Sequence, residues 1–194
     1  MKSRLCFLVS SLAVAVLLSP LAASQQQIVA SEKQKQYSPK AQQRIIKDVR
    51  HALLMLPYYG GPFDYIAFRL NGDTIILQGQ VVRATLHGDA EKAVSRVEGV
   101  EHVVNHIEVL PPSGFDDSLR RRLYHAIYGF PPLQRYGVGS NRAIQIIVNH
   151  GHVTLEGVVD RQADKNMAFI RANGVPGVFS VTNNLQVEGG APGL

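Results

Sequence analysis

Seven histidines stand in the 194-residue chain, and two pairs of them are spaced in a way that invites a metal. His102 and His106 fall on the same side of an alternating run. At about 3.3 Å of rise per residue they would lie about 13 Å apart, too far for one ion to bridge. His150 and His152 flank a turn glycine, but sequence places no third ligand nearby. Structural zinc uses four protein ligands and catalytic zinc three, so both pairs read as solvated polar positions and no metal is expected. The stretch Tyr136-Gly-Val-Gly-Ser-Asn-Arg142 has a glycine pair without the rest of a dinucleotide fingerprint. It also precedes a strand instead of joining strand to helix. No serine lies in a Gly-x-Ser-x-Gly context. Asp116-Asp117 reads as the N-cap of a helix, not as a catalytic carboxylate pair. No catalytic residue and no cofactor are expected.

What remains is charge and aromatic surface. The net charge is +5. Arg120-Arg121-Arg122 open a helix and, at 100° per residue, fan over its polar side. They read as a solvated face or as contacts for anionic headgroups, each surface cation near a membrane being worth about 1 kcal/mol. Tyr58, Tyr59 and Phe63 occupy one Pro/Gly-rich loop, and Phe130 and Tyr136 a corresponding one. These aromatics either cap a core or wedge into a lipid or partner surface, and the cap is favoured.

The N-terminus carries a different signal. Lys2 and Arg4 precede an apolar run from Leu5 to Leu18, and Ala22-Ala23-Ser24 supply small residues for a cut before Gln25. This is the pattern of a secretory signal peptide, and the run is short of the roughly 20 residues that span a bilayer. Cys6 is the one cysteine. The mature chain would therefore have no disulfide and no thiol nucleophile. Residues 25–41 are rich in Gln and Lys and read as a flexible basic linker.

The elements that would position these groups occur twice. Residues 71–81, NGDTIILQGQV, match residues 149–159, NHGHVTLEGVV. At the same offset Arg83 falls on Arg161, Ala90 on Ala168, Gly99-Val100 on Gly177-Val178, and Asn105 on Asn183. A register held this long points to duplication of one structural unit. Each unit begins with an amphipathic helix, carrying stripes of Ile45, Val49 and Leu53 or of Leu119, Leu123 and Ile127. Two alternating strands follow around a hairpin turn. Gly79 and Gly157 inside the second strand mark a bulge or the close approach of the next helix. A second helix, over about 84–97 and 162–173, leads through Gly99 or Gly177 into a last strand. The expected fold is α+β: two tandem α-β-β-α-β units, each a three-stranded mixed sheet with two helices on one face.

The order helix, strand, Asn-Gly-x-x-x-x-Leu-x-Gly-x-Val, helix, Gly-Val and Val-x-Asn-x-Leu/Ile-x-Val resembles the BON domain, a family named for bacterial osmotic-stress and nodulation proteins. Gly79, Gly99, Gly157 and Gly177 carry the match as structural positions. The expected layout is a signal peptide (1–24), linker (25–41), first domain (42–110), linker (111–116), second domain (117–188) and flexible tail (189–194). In the second repeat the turn glycine has moved, to His150-Gly151 from Gly72-Asp73. The resemblance implies a non-enzymatic, periplasmic or secreted module that binds anionic phospholipid surfaces or envelope proteins and is peripherally membrane-associated. The alternative is a protein-interaction or chaperone-like stress protein. Nucleic acid is not an expected partner, since no Gly-x-x-Gly clamp joins two helices. The sequence leaves the oligomeric state open.

Overall fold

The computed structural model describes residues 37–138 and 143–189. The expected signal peptide, most of the basic linker, residues 139–142 of the glycine loop and nearly all of the C-terminal tail lie outside the described residues.

The first repeat is built from α1 (Pro39–Leu54), β1 (Tyr65–Asn71), β2 (Thr74–Val81), α2 (Ala84–Val94) and β3 (His102–Val109). Helix α1 begins inside the stretch read as linker. Ser38 is its N-cap, with the hydroxyl accepting from Ala41 N at 3.4 Å, and Pro39 sits where a helix needs no N–H. The second repeat runs α3 (Gly114–Tyr128), a 3₁₀ helix (Pro131–Gly137), β4 (Ile144–Asn149), β5 (His152–Val159) and α4 (Gln162–Asn173). It ends in two short strands, β6 (Ser180–Asn183) and β7 (Gln186–Val187).

Both sheets have the same topology. The hairpin strands are antiparallel, and the last strand joins the second hairpin strand in parallel, so β2 and β5 are central. In the first repeat Gly79 faces Ile107. In the second, Leu155 pairs Asn183 and Val158 pairs Gln186, which keeps the same register. The split between β6 and β7 is thus one strand interrupted opposite Gly157.

The stripes read from the sequence form two cores. Ile45, Val49 and Leu53 of α1 pack with Leu86, Ala90 and Val94 of α2 over Ile75, Leu77 and Val81 of β2. Leu119, Leu123 and Ile127 pack with Ala168 and Ala172 over Ile146, Val153 and Leu155. Each fully buried Leu, Ile or Val contributes about 1.5–3 kcal/mol. Two duplicated hydrogen bonds tie the last strand to its neighbouring helix: Asn105 Nδ2 donates to His87 O and Asn183 Nδ2 to Lys165 O, each at 2.9 Å. These bonds explain why the sequence repeats an asparagine on an otherwise apolar face.

The moved turn glycine has a conformational cause. Asn71 pairs Thr74, and Gly72 alone has positive φ (63°). Asn149 pairs His152, and both His150 (51°) and Gly151 (78°) are positive. The signs match a type II′ turn in the first repeat and a type I′ turn in the second.

Candidate functional site

The two repeats meet through the loop after α1. Pro62 O accepts from Ile146 N on the edge of β4. Phe63 packs against the core of the second repeat, 6.4 Å edge-to-face from Tyr124. Phe63 is therefore a plug between repeats and is not a free wedge. Three other loop aromatics pack on the cores. Tyr59 packs on the first core, and its hydroxyl accepts from Ile66 N at 3.3 Å. Tyr136 is buried; its hydroxyl donates to Asp164 at 2.8 Å and accepts from Asp160 N at 2.9 Å. Phe130 packs against the second core under the Arg171 guanidinium, 5.1 Å from the ring. Tyr58 is the exception, 74% exposed with a positive φ of 65°.

Burial pushes the Tyr59 phenol up to about 12, against the lowering effect of the Ile66 N–H. Its folded value exceeds its unfolded one, so its contribution is complete below pH 10 and is lost as pH rises through 12. At about 1.4 kcal/mol per unit this is roughly 2–3 kcal/mol. Denaturant midpoints are expected to fall between pH about 10 and 12, and Tyr59→Phe is expected to flatten that fall.

The arginine tract does not act as one face. Arg120 is buried: Nη1 donates to Asp117 at 2.6 Å and Nη2 to Val148 O at 2.7 Å. Its Nε is buried without a partner, a situation that costs about 1–3 kcal/mol. The expectation that all three fan over solvent is thus corrected. Positions 116, 120, 123 and 127 share the inward stripe of α3. Arg121 is exposed, with Nη2 donating to Ser118 at 3.1 Å. Arg122 turns the other way, and its Nη2 donates to Pro176 O at 3.3 Å.

The N-cap expectation for Asp116 is also corrected. Ser113 caps α3, its hydroxyl accepting from Asp116 N at 3.2 Å. Asp116 is 1% exposed and reaches across to the hairpin, where its two oxygens accept from His150 N and Gly151 N, each at 2.9 Å. The carboxylate thus holds His150 in the left-handed region that a type I′ turn requires.

That hairpin positions an aromatic surface the sequence did not single out. Gly151 O accepts from Phe179 N at 2.9 Å. Phe179 is 71% exposed and stacks on Phe115, which is 48% exposed, at 6.2 Å and 22°. His152 meets Phe179 edge-on at 6.0 Å, and its Nδ1 lies 2.7 Å from Ser180 Oγ. Arg122 Nη2 and the Phe115 ring converge on Gly177, within 3.2 and 3.3 Å of where a Cβ would stand. Beside Arg122 a depression of about 500 Å³ is lined by Ile170, Arg171 and Pro176, with Ile170 65% exposed. The second repeat thus presents exposed rings and an exposed aliphatic group around guanidiniums. His102 and His106 are exposed on the outer face of β3. Among the described residues, no group of three or more His, Cys, Asp or Glu is arranged to hold a metal ion.

A second feature lies at the seam between the repeats. Tyr58, Gly61, Asp64, Arg83, Asp117, Arg120 and Arg121 line a cleft of about 260 Å³. The Arg83 guanidinium lies 4.9 Å from the Tyr58 ring centroid. Asp64 Oδ1 accepts from Val82 N at 2.7 Å. Burial pushes the Asp64 carboxyl up from its ordinary value, opposed by that N–H and by the guanidiniums of Arg83 and Arg120.

The BON domain matches residues 70–111 and 134–189, which together make up just over half of the chain. The chain belongs to the BON domain family. Two BON segments stand in tandem; the first spans β2, α2 and β3, and the second spans β4 to β7. BON domains are non-catalytic binding modules, and proteins that carry them are generally envelope modules associated with membranes or phospholipid. No curated protein matches the chain. Among solved structures, the chain is similar to CdsD, a structural protein of the type III secretion system of Chlamydia trachomatis. The identity is 11%, the coverage 74% of this chain and 91% of that one, and the TM-score 0.28. It is also similar to the C-terminal domain of CdsD, at 10% identity, 74% and 96% coverage and a TM-score of 0.26. Among the described residues of the BON protein, no helix is long and apolar enough to cross a membrane.

Proposed function

We propose that this BON protein is an exported, non-enzymatic module that attaches peripherally to anionic phospholipid surfaces of the cell envelope. Its contact face is carried by the second BON domain. The observation that supports this most is the exposed Phe115–Phe179 stack beside Arg122. Rings at the acyl boundary with cations at headgroup level are the arrangement by which interfacial proteins hold a bilayer. Each ring contributes through the apolar area it buries, and each cation adds about 1 kcal/mol on an anionic surface. The signal-like segment before Gln25 supports export. Among the residues singled out from the sequence, Arg122 belongs to this face. Tyr59, Phe63, Phe130 and Tyr136 serve the cores.

Co-sedimentation with vesicles tests this. The protein is expected to pellet with phosphatidylglycerol vesicles, to pellet poorly with phosphatidylcholine, and to be released by high salt, because exposed charges are screened within about 10 Å at 0.1 M. The Phe115→Ser/Phe179→Ser variant is expected to bind about tenfold or more weakly, since a tenfold change corresponds to only 1.4 kcal/mol. Equal pelleting with neutral and anionic vesicles would count against the lipid reading.

A protein partner is the second reading, and one observation favours it. Among the described residues the outer edge of β1 pairs with no second strand, and it lies in a groove of about 710 Å³ with Ile46, Leu53, Phe68 and Leu70 among its lining residues. An extended peptide could add to such an edge. Vesicle binding that survives loss of the phenylalanine pair would turn attention to this groove.

A further inference from the structure

We propose that the seam between the two BON domains is a seat for a phosphate-type oxyanion, separate from the membrane face of the second domain. The cleft draws Arg83 and Tyr58 from the first domain and Arg120 and Arg121 from the second. Three guanidiniums face two carboxylates there, Asp64 and Asp117, which leaves an excess of positive charge. Both carboxylates already have partners: Asp64 takes the Val82 N–H and Asp117 takes Nη1 of Arg120.

Arg120 lines the cleft with a side chain only 4% exposed, and its bonds to Asp117 and Val148 O hold the guanidinium in place. Guanidiniums present planar arrays of donors that match phosphate oxygens. The cleft of about 260 Å³ has room for a headgroup-sized anion. Tyr58 stands at the mouth with a strained backbone, its ring against Arg83. Backbone strain of this kind concentrates at ligand clamps and active sites. Because the seat is shared, its occupant would brace one domain against the other.

The oxyanion could be a free phosphomonoester or the phosphate of a lipid headgroup. The test titrates the purified protein with sn-glycerol 3-phosphate, with acetate at matched ionic strength as control, while following backbone amide resonances. Saturable shifts centred on Gly61, Val82 and Arg83 are expected with glycerol phosphate and not with acetate. Arg83→Gln and Arg121→Gln are each expected to weaken the titration about tenfold, as loss of one charge-assisted contact would do. Both side chains are exposed, so neither variant should fail to fold; Arg120 is left intact because it is buried. If Arg83→Gln also weakens binding to phosphatidylglycerol vesicles and glycerol phosphate competes with them, the source is a headgroup. If vesicle binding is unchanged while the soluble titration weakens, the source is free phosphate. Phe115→Ser/Phe179→Ser should leave the soluble titration intact, so failure of the membrane reading and failure of the seat are distinguishable. Shifts that acetate reproduces, or that both arginine variants leave unaltered, would overturn the proposal.

Discussion

Gly157→Ala is expected to cost about 3 kcal/mol or more and to lower the thermal midpoint by roughly 10 °C. A Cβ at this position would stand 2.0 Å from Ala143 O and 2.8 Å from Gln145 Oε1, on a backbone with φ of +119°. Gly79 repeats the geometry, with Tyr65 O at 2.0 Å and φ of +142°. The obstacle in each case is backbone of the preceding strand, which cannot move without breaking the antiparallel ladder. Left-handed strain alone costs about 1–3 kcal/mol, and the clash adds to it. Gly177→Ala provides the contrast. There the nearest atoms are the far ends of Arg122 and Phe115, at 3.2 and 3.3 Å, so strain dominates and the loss should be smaller. Gly88→Ala, inside α2 with nothing within 4 Å, should stabilise by about 0.5–1 kcal/mol. Thermal unfolding of the three variants checks the order. A Gly157→Ala protein as stable as the parent would show that the strand crossing is not as described.

Asp116→Ala is the second large effect. It removes an acceptor that serves two backbone N–H groups on the hairpin at 2.9 Å each. Hydrogen bonds to a charged group contribute about 1.5–3 kcal/mol each, and a buried donor left alone costs a similar amount. The variant should lose about 3 kcal/mol in denaturant unfolding. A second consequence follows from the Phe179 N–H, which bonds Gly151 O. Once the hairpin loosens, Phe179 loses its anchor, so Asp116→Ala should also weaken vesicle binding. Asp116→Asn, which keeps one acceptor oxygen, should fall between variant and parent. His150→Gly removes the residue held at positive φ and should recover part of the loss, because glycine adopts that conformation freely. An Asp116→Ala protein with unchanged stability would contradict the hairpin-clamp role.

These two cases show what the sequence made legible. The repeated apolar stripes, the hairpin and the last strand all depend on local periodicity, and they appear where the pattern put them. The crowding at Gly79 and Gly157 was also legible, but its source was not. The expectation named a bulge or the following helix, whereas the crowding atom belongs to the strand before. A single glycine states that something is near without saying what. Asp116 misled because an acidic residue in a first helical turn satisfies local capping rules; its actual partners lie 34 and 35 residues away. Arg120 carried a usable signal, since its spacing from Leu123 and Ile127 places it on the buried stripe, but a run of three arginines drew attention to charge instead. Phe63 crosses into the other domain, Phe115 sits in the first turn of α3, and Phe179 lies just before β6. No periodicity marks such positions, because tertiary contact alone brings them together.

The chain contains no tryptophan, so Phe179→Trp gives a single reporter at the proposed contact face. On phosphatidylglycerol vesicles its emission should shift to the blue and be quenched by brominated acyl chains, and neither change should occur on phosphatidylcholine. Should the emission stay that of a water-exposed indole while the protein pellets with anionic vesicles, the second BON domain does not meet the bilayer through Phe179, and the account of its surface is wrong.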